Sequence, residues 1–125
     1  MSAFARRVAA AALLLAACTV EQGTRPVIDA LTLADSATLD PDGTYHVAGL
    51  ISYHDDDDEV RRIRVQVPSL GSSAQYPASG RAANDAAIAL RIVGTAPKGP
   101  LAVTVSVIDA EANESDPRSA TVTLK

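Results

Sequence analysis

From Pro26 onward the chain alternates between apolar and polar residues in short segments, and turn-forming residues separate these segments. In residues 101–107 every second residue is Leu or Val, and small or polar residues lie between them. Alternation with a period of two places the apolar residues on one face of a strand, so it predicts half-buried antiparallel strands. Their regular spacing predicts an all-β sandwich. The segments with this pattern are 27–33, 44–53, 60–67, 86–93, 101–107 and 120–124.

Two parts of this region lack the alternation. Residues 40–43 read Asp-Pro-Asp-Gly, which is typical of a tight turn. Residues 68–83 show no sustained period, and Pro68 and Pro77 would block ladder hydrogen bonds in a central strand. We therefore expect a long loop at residues 68–83, with at most one short edge strand in it.

The first 18 residues have a different pattern. Arg6 and Arg7 precede ten apolar residues, Val8 to Ala17, and Cys18 follows directly. Ten residues rise only about 15 Å as a helix, which is about half of a ~30 Å hydrocarbon core. This layout predicts a secretory signal peptide rather than a permanent membrane span.

Residues 15–18 read Leu-Ala-Ala-Cys and resemble the lipobox of bacterial lipoproteins. The resemblance implies a diacylglyceryl group on the Cys18 thiol, cleavage before Cys18 and acylation of the new amino group. It divides the chain into a signal peptide (1–17), an acylated cysteine with a tether (18–25) and a domain (26–125). Thr19 is not aspartate, and this implies sorting to the outer membrane of a diderm host. The alternative is an ordinary signal peptide followed by a chance cysteine.

The charge of the chain restricts its partners. The net charge is −4, and it becomes −6 once Arg6 and Arg7 are removed with the leader, which holds no acid. An acidic domain has no electrostatic reason to bind nucleic acid, and anionic lipid heads repel it. We therefore expect membrane contact through acyl chains on Cys18. Cys18 is also the single cysteine, so the chain cannot form an internal disulfide.

The end of the chain carries a second resemblance. Residues 99–115 are similar to the final hairpin of bacterial immunoglobulin-like domains, with Ala112 where glycine is usual, and residues 43–58 are similar to their second strand and acidic loop. The chain lacks tryptophan and a cysteine pair, so kinship lies with the fibronectin-like or PKD-like branches. The resemblance implies an immunoglobulin-like antiparallel β-sandwich of about seven strands.

Acidic residues are concentrated in two predicted loops. Five adjacent carboxylates occupy residues 55–59, and a second acidic group lies in residues 109–116. In an immunoglobulin-like topology these loops lie at the same end, where their oxygens could ligate Ca²⁺. The alternative is a solvated acidic patch that aids solubility, and Asp29 could join either. The candidate calcium ligands are Asp55, Asp56, Asp57, Asp58, Asp109, Glu111 and Asn113.

The basic and imidazole side chains give weaker indications. Arg62 and Arg64 follow the acidic run and could bind an anionic partner, or they could lie on a solvated strand face and pair with nearby acids. His46 and His54 share strand parity and lie eight residues apart, or about 27 Å along a strand. They cannot ligate one metal ion, and we expect both at the surface.

No catalytic motif is evident in the sequence: there is no nucleophile elbow, no phosphate loop and no His-x-x-x-His pair. We therefore expect an envelope lipoprotein that acts as a non-enzymatic binding or assembly module, held to the membrane through Cys18. Its partners would be envelope proteins or polysaccharide. The alternative is a structural, Ca²⁺-stiffened envelope spacer, and an enzyme is the third class considered.

Overall fold

The alternating segments form strands in two sheets. The computed structural model describes residues 24–56, 59–78 and 83–125. The described residues contain the strands β1 (Val27–Leu33), β2 (Ser36–Ala37), β3 (Thr44–His54), β4 (Val60–Val67), β5 (Ser72–Pro77), β6 (Ala83–Val93), β7 (Gly99–Asp109) and β8 (Arg118–Leu124). One sheet has the order β1-β3-β6 and the other the order β2-β8-β7-β4-β5. The predicted all-β sandwich is confirmed.

The core lies between the two sheets and follows the predicted parity. On β3, Tyr45, Val47, Ile51 and Tyr53 are each at most 2 % exposed, and the residues between them are exposed or half-buried. The same alternation buries one face of β4, β6, β7 and β8. Since β-branched side chains fit a pleated surface, valine and isoleucine supply most of this core.

The register of the strands defines two ends of the sandwich. At one end, β3 finishes opposite the starts of β1 and β6, and β4 starts opposite the end of β7. Among the described residues, this acidic end carries 24–26, 55, 56, 59 and 110–117. The opposite end carries the turn at residues 40–43, the connection at 68–71 and the loop at 94–98.

One strand pair runs parallel, in contrast to the predicted antiparallel sandwich. Ser36 and Ala37 of β2 pair in parallel with Thr123 and Leu124 of β8. The chain leaves the smaller sheet after Leu33 and continues in the same direction on the edge of the larger sheet. Because β8 also runs in that direction, β2 can only pair with it in parallel.

The long loop predicted at residues 68–83 is wrong over its first ten residues, while the short edge strand allowed there is present. A 3₁₀ helix covers Pro68–Leu70, and β5 then pairs with β4 from Val67↔Ser72 to Arg62↔Pro77. Edge strand β5 is only partly covered, and this explains its weak apolar pattern. Pro77 is tolerated because it ends the strand at the sheet edge.

Candidate functional site

Two nearly buried aspartates lie at the acidic end. Asp55 follows β3 directly and is 3 % exposed, and Asp109 ends β7 and is 2 % exposed. Buried carboxylates need hydrogen-bond donors. The topology of the strands brings the two acidic loops to the same end, as the sequence predicted.

The carboxylate of Asp109 organises the turn that follows it. Its Oδ1 accepts the backbone N–H groups of Glu111 at 2.9 Å and Asn113 at 2.8 Å, and its Oδ2 accepts the Asn113 side-chain amide at 3.2 Å. Ala112 adopts a left-handed φ of 68° in this turn, a conformation that glycine adopts without a steric cost. Asp109 therefore has a structural role within its own loop.

Glu114 links the same loop to the outer face of the larger sheet. Its Oε1 accepts a hydrogen bond from Arg64 Nη1 at 2.6 Å, and its Oε2 accepts one from Ser106 Oγ at 2.5 Å. Ser115 joins β7 as well, since its N–H donates to the Val107 carbonyl and its hydroxyl accepts from the Val107 N–H, both at 2.9 Å. The residues before β8 are thereby folded back onto β7.

The two residues that precede Pro26 contact this end of the sandwich. The Thr24 hydroxyl donates to Asp55 Oδ1 at 3.3 Å. Arg25 donates from Nε to the Glu114 carbonyl at 2.9 Å and from Nη2 to Asp116 Oδ1 at 2.6 Å. The chain therefore enters the domain at the acidic end.

The candidate calcium ligands are only partly gathered by these contacts. Asp56 and Glu111 are exposed, Asp55 and Asp109 are buried, and Asn113 bonds to Asp109. Asp57 and Asp58 lie outside the described residues. Calcium binding at the acidic end stays a prediction.

The two candidate partner-binding arginines lie on the outer face of β4. Arg62 donates to Gln75 Oε1 of β5 at 3.1 Å. Arg64 forms the 2.6 Å ion pair with Glu114, in which the two side chains are 30 % and 37 % exposed. These contacts correspond to the alternative reading, in which the arginines pair with groups of their own domain. The binding of an anionic partner by Arg62 and Arg64 stays a prediction.

A β-bulge places Asp29 beside His54. The register of β1 on β3 shifts between Ile28 and Ala30, and a bulge of this kind re-aims the extra side chain. The Oδ2 of Asp29 lies 2.8 Å from Nδ1 of His54. This hydrogen bond, and then the charge of Asp29, raise the pKa of His54 above its ordinary value of 6.5; the charges of Asp56 and Asp55 contribute in the same direction.

We expect an NMR titration to place the His54 midpoint above 6.5, and Asp29→Asn to lower it. Folding raises this pKa, so the pair stabilises the fold fully below the unfolded value and its contribution is lost as pH rises through the folded value. The melting temperature of the wild type should therefore fall more than that of Asp29→Asn between about pH 6 and about pH 8. A His54 midpoint that is unchanged in Asp29→Asn would contradict this assignment.

A second cluster occupies the opposite end, and the sequence reasoning missed it. Asp40 and Asp42 belong to the turn before β3, and His46 is the third residue of that strand. The His46 Nε2 atom lies 2.8 Å from Asp42 Oδ2 and 3.5 Å from Asp40 Oδ2. In the described residues, these three are the one group of at least three potential metal-ligating side chains whose ligand atoms lie within 4.8 Å of one another.

Thr44 fixes one carboxylate of this cluster. The Oδ1 of Asp42 accepts the Thr44 N–H at 3.0 Å and the Thr44 hydroxyl at 2.8 Å, leaving Oδ2 directed at His46. The hydrogen bonds from His46 and Thr44 lower the pKa of Asp42 to about 2. The spacing Asp-x-Asp-x-x-x-His was visible in the sequence, but the acids had been assigned to a turn and the histidine to the surface.

The outer face of the smaller sheet carries an open hollow of about 660 Å³. Small side chains line it, among them Ala48, Ala87 and Ala89, and Leu50 beside them is 60 % exposed.

In the described part of the chain, no helix is long and apolar enough to cross a membrane.

Known structures share the fold at low sequence identity. The PKD domain of an M14-like peptidase from a Thermoplasmatales archaeon superposes with a TM-score of 0.55 and 14 % identity, over 82 % of this chain and 97 % of that domain. A Niemann-Pick type C2 protein from the Japanese carpenter ant gives a TM-score of 0.48 and 7 % identity, over 82 % and 95 % of the two chains. No protein-family model and no curated protein matches the sequence. The first similarity shows a PKD-like, immunoglobulin-like sandwich.

Proposed function

We propose that this chain is an exported bacterial lipoprotein, anchored through an acylated Cys18, whose sandwich acts as a non-enzymatic binding or assembly module at the cell envelope. The proposal includes the outer membrane as its location, because Thr19 is not aspartate. Envelope proteins or polysaccharide are the proposed partners.

The entry of the chain into the sandwich is the observation that carries the proposal. Thr24 and Arg25, which the sequence assigned to the tether, hydrogen-bond to residues of the acidic end. Only five residues then lie between Cys18 and Thr24, a stretch that spans at most roughly 20 Å. An acyl chain on Cys18 would hold the domain directly beside the bilayer, with the acidic end toward it.

Charge supports an anchor made by lipid rather than by the protein surface. The acidic end exposes Asp56, Glu111 and Asp116, and anionic lipid heads repel such a surface. Two or more acyl chains give stable membrane binding without any basic patch. The opposite end, with the turn at residues 40–43, would then face away from the bilayer and be accessible to partners.

The non-enzymatic part of the proposal rests on the chemistry of the described side chains. The pKa values of His54 and Asp42 are shifted, and in each case the largest cause is a hydrogen bond between a carboxylate and a histidine at the surface. The Thr44 hydroxyl lies 3.0 Å from His46 Nε2, but Asp42 contacts the same ring nitrogen. In a catalytic triad the acid and the nucleophile bond to different nitrogens of the imidazole. A rigid sandwich that presents loops is a common scaffold for binding.

Replacing Cys18 by serine tests the anchor. We expect the wild type to sediment with membranes and to enter the detergent phase on Triton X-114 partitioning. Cys18→Ser offers no thiol to acylate, so it should carry no acyl group and should not yield a chain that begins at residue 18. Mass spectrometry of the wild type from its native host should show a chain that begins at Cys18 and carries acyl groups.

Thr19→Ser is the matched control, because it changes the neighbouring residue and leaves residues 15–18 intact. It should partition like the wild type, and all three proteins should melt at the same temperature, since these residues precede the domain. A Cys18→Ser chain that still carries acyl groups, or a wild type that retains Met1, would overturn the proposal.

A further inference from the structure

We propose that Asp40, Asp42 and His46 form a binding site for a divalent transition-metal ion of the Zn²⁺ type at the opposite end of the sandwich. The inference goes beyond the proposed function and does not depend on the lipid anchor. It rests on an imidazole nitrogen and two carboxylate oxygens that converge from one turn and one strand.

One separation between the donor atoms already fits a small tetrahedral ion, and a second is shorter than such an ion requires. Zn²⁺ binds nitrogen and oxygen at about 2.0–2.2 Å, so ligand atoms at the corners of a tetrahedron lie roughly 3.3–3.6 Å apart. The distance from Asp40 Oδ2 to His46 Nε2 is 3.5 Å, and that from Asp42 Oδ2 to His46 Nε2 is 2.8 Å. A small rotation of the exposed imidazole would bring the shorter distance into this range. A water molecule would complete the four ligands.

The donor set selects the class of ion. Imidazole nitrogen is a preferred ligand of Zn²⁺, Cu²⁺ and Ni²⁺, whereas Ca²⁺ takes six to eight oxygens. The trio offers one nitrogen and two carboxylates within 4.8 Å. A calcium site at the acidic end would need a different ligand set and would lie at the other end of β3.

The surrounding chain holds two of the three ligands in place before any ion binds. Thr44 fixes the Asp42 carboxylate through two hydrogen bonds. Pairing with Arg91 on β6 fixes the backbone of His46, and the His46 Nε2 atom lies 3.0 Å from the Thr44 hydroxyl. The turn itself is closed by the Gly43 N–H, which donates to the Asp40 carbonyl at 2.9 Å, and by the Asp40 N–H, which donates to the Thr44 carbonyl at 2.9 Å.

The local charge attracts a cation. Two carboxylates face the imidazole, and Arg91 Nη2, the nearest guanidinium nitrogen, lies 3.8 Å from Asp42 Oδ2 on a side chain that is 67 % exposed. One partly solvated arginine does not neutralise two aspartates. A divalent ion can displace this weak surface contact, which contributes little to stability.

Titration of the untagged full chain with Zn²⁺ by calorimetry and by ¹H–¹⁵N NMR tests the site. The wild type should bind one ion in the micromolar range, with the resonances of His46 and Thr44 shifting first. His46→Gln should weaken binding at least tenfold, since even the outer partners of metal ligands are worth about 10–100-fold. Asp40→Asn should weaken it in the same direction.

His54→Gln is the matched control, because His54 is also paired with an aspartate but has no second carboxylate in a three-ligand group of the described residues. It should change Zn²⁺ affinity less than twofold, and so should Cys18→Ser, which removes the thiol. Ca²⁺ should leave the His46 resonances in place. Equal loss in His46→Gln and His54→Gln, or a wild type that does not bind at millimolar Zn²⁺, would overturn the proposal.

Discussion

Replacing Gly94 by alanine should lower the free energy of unfolding by about 3 kcal/mol, at the upper end of the usual cost of overpacking. A Cβ atom on residue 94 would lie 2.1 Å from the carbonyl oxygen of Gly43 and 3.0 Å from Leu39 Cδ1. Non-bonded heavy atoms prefer separations of about 3.5–4.0 Å. The obstacle at Gly43 is backbone, so no side-chain rotation relieves it.

The position of the Gly43 turn depends on this close approach. Residue 94 follows β6, and the turn precedes the adjacent strand β3, where Thr44 pairs with Val93. Alanine at residue 94 would push Gly43 outward and displace its neighbours Asp42 and Thr44. We therefore expect Gly94→Ala to lower Zn²⁺ affinity along with stability.

Gly71→Ala is the matched control for this prediction. Gly71 has a left-handed φ of 64°, but nothing lies within 4 Å of its added Cβ atom, so alanine there should cost only about 1 kcal/mol of backbone strain. Urea unfolding with linear extrapolation measures both changes. A Gly94→Ala chain that is as stable as Gly71→Ala would show that the two loops separate without cost.

The strands that the sequence predicted are those with one covered face. The parity of Tyr45, Val47, Ile51 and Tyr53 is set by burial against the opposite sheet, and burial selects apolar residues at every second position. Strands β2 and β5 escaped this reasoning because one is two residues long and the other is an exposed edge. Backbone pairing, rather than side-chain burial, defines them.

For the acidic end, the sequence predicted which loops lie together but not which of their side chains form hydrogen bonds. That the loops after β3 and β7 share an end follows from the fold. That Arg64 pairs with Glu114, and Arg25 with Asp116, depends on strand register across 50 and 91 residues. Alternation excludes a shift of one residue, which would send every side chain to the other face, but a shift of two residues keeps the apolar side chains buried and changes which polar side chains meet.

The cluster at the opposite end is the reverse case, because all of its members lie within seven residues of sequence. Asp42 and His46 are four residues apart, and the close turn before β3 brings Asp40 to the same place. What hid the site was the assignment of each residue to a separate role. The spacing of the two aspartates and the histidine in the sequence therefore indicated the cluster. It was overlooked because the turn and the strand were interpreted separately.

Tyr45→Ala should cost about 4 kcal/mol of unfolding free energy, the range observed when a buried aromatic side chain is truncated. Tyr45 is 1 % exposed and is among the largest fully buried side chains of the domain. Such a loss is a large part of the roughly 5–15 kcal/mol that stabilises a typical domain.

Tyr76→Ala removes the same side chain from the half-buried face of edge strand β5 and should cost only about 1–2 kcal/mol, because less apolar area is uncovered. If Tyr45→Ala does not fold, Tyr45→Leu keeps most of the volume and should unfold at an intermediate urea concentration. Equal costs at residues 45 and 76 would contradict the packing described for β3. Residue 45 lies between Thr44 and His46, so the core that surrounds its side chain also supports the Asp40, Asp42 and His46 cluster. Tyr45→Leu should therefore weaken Zn²⁺ binding, but less than His46→Gln does.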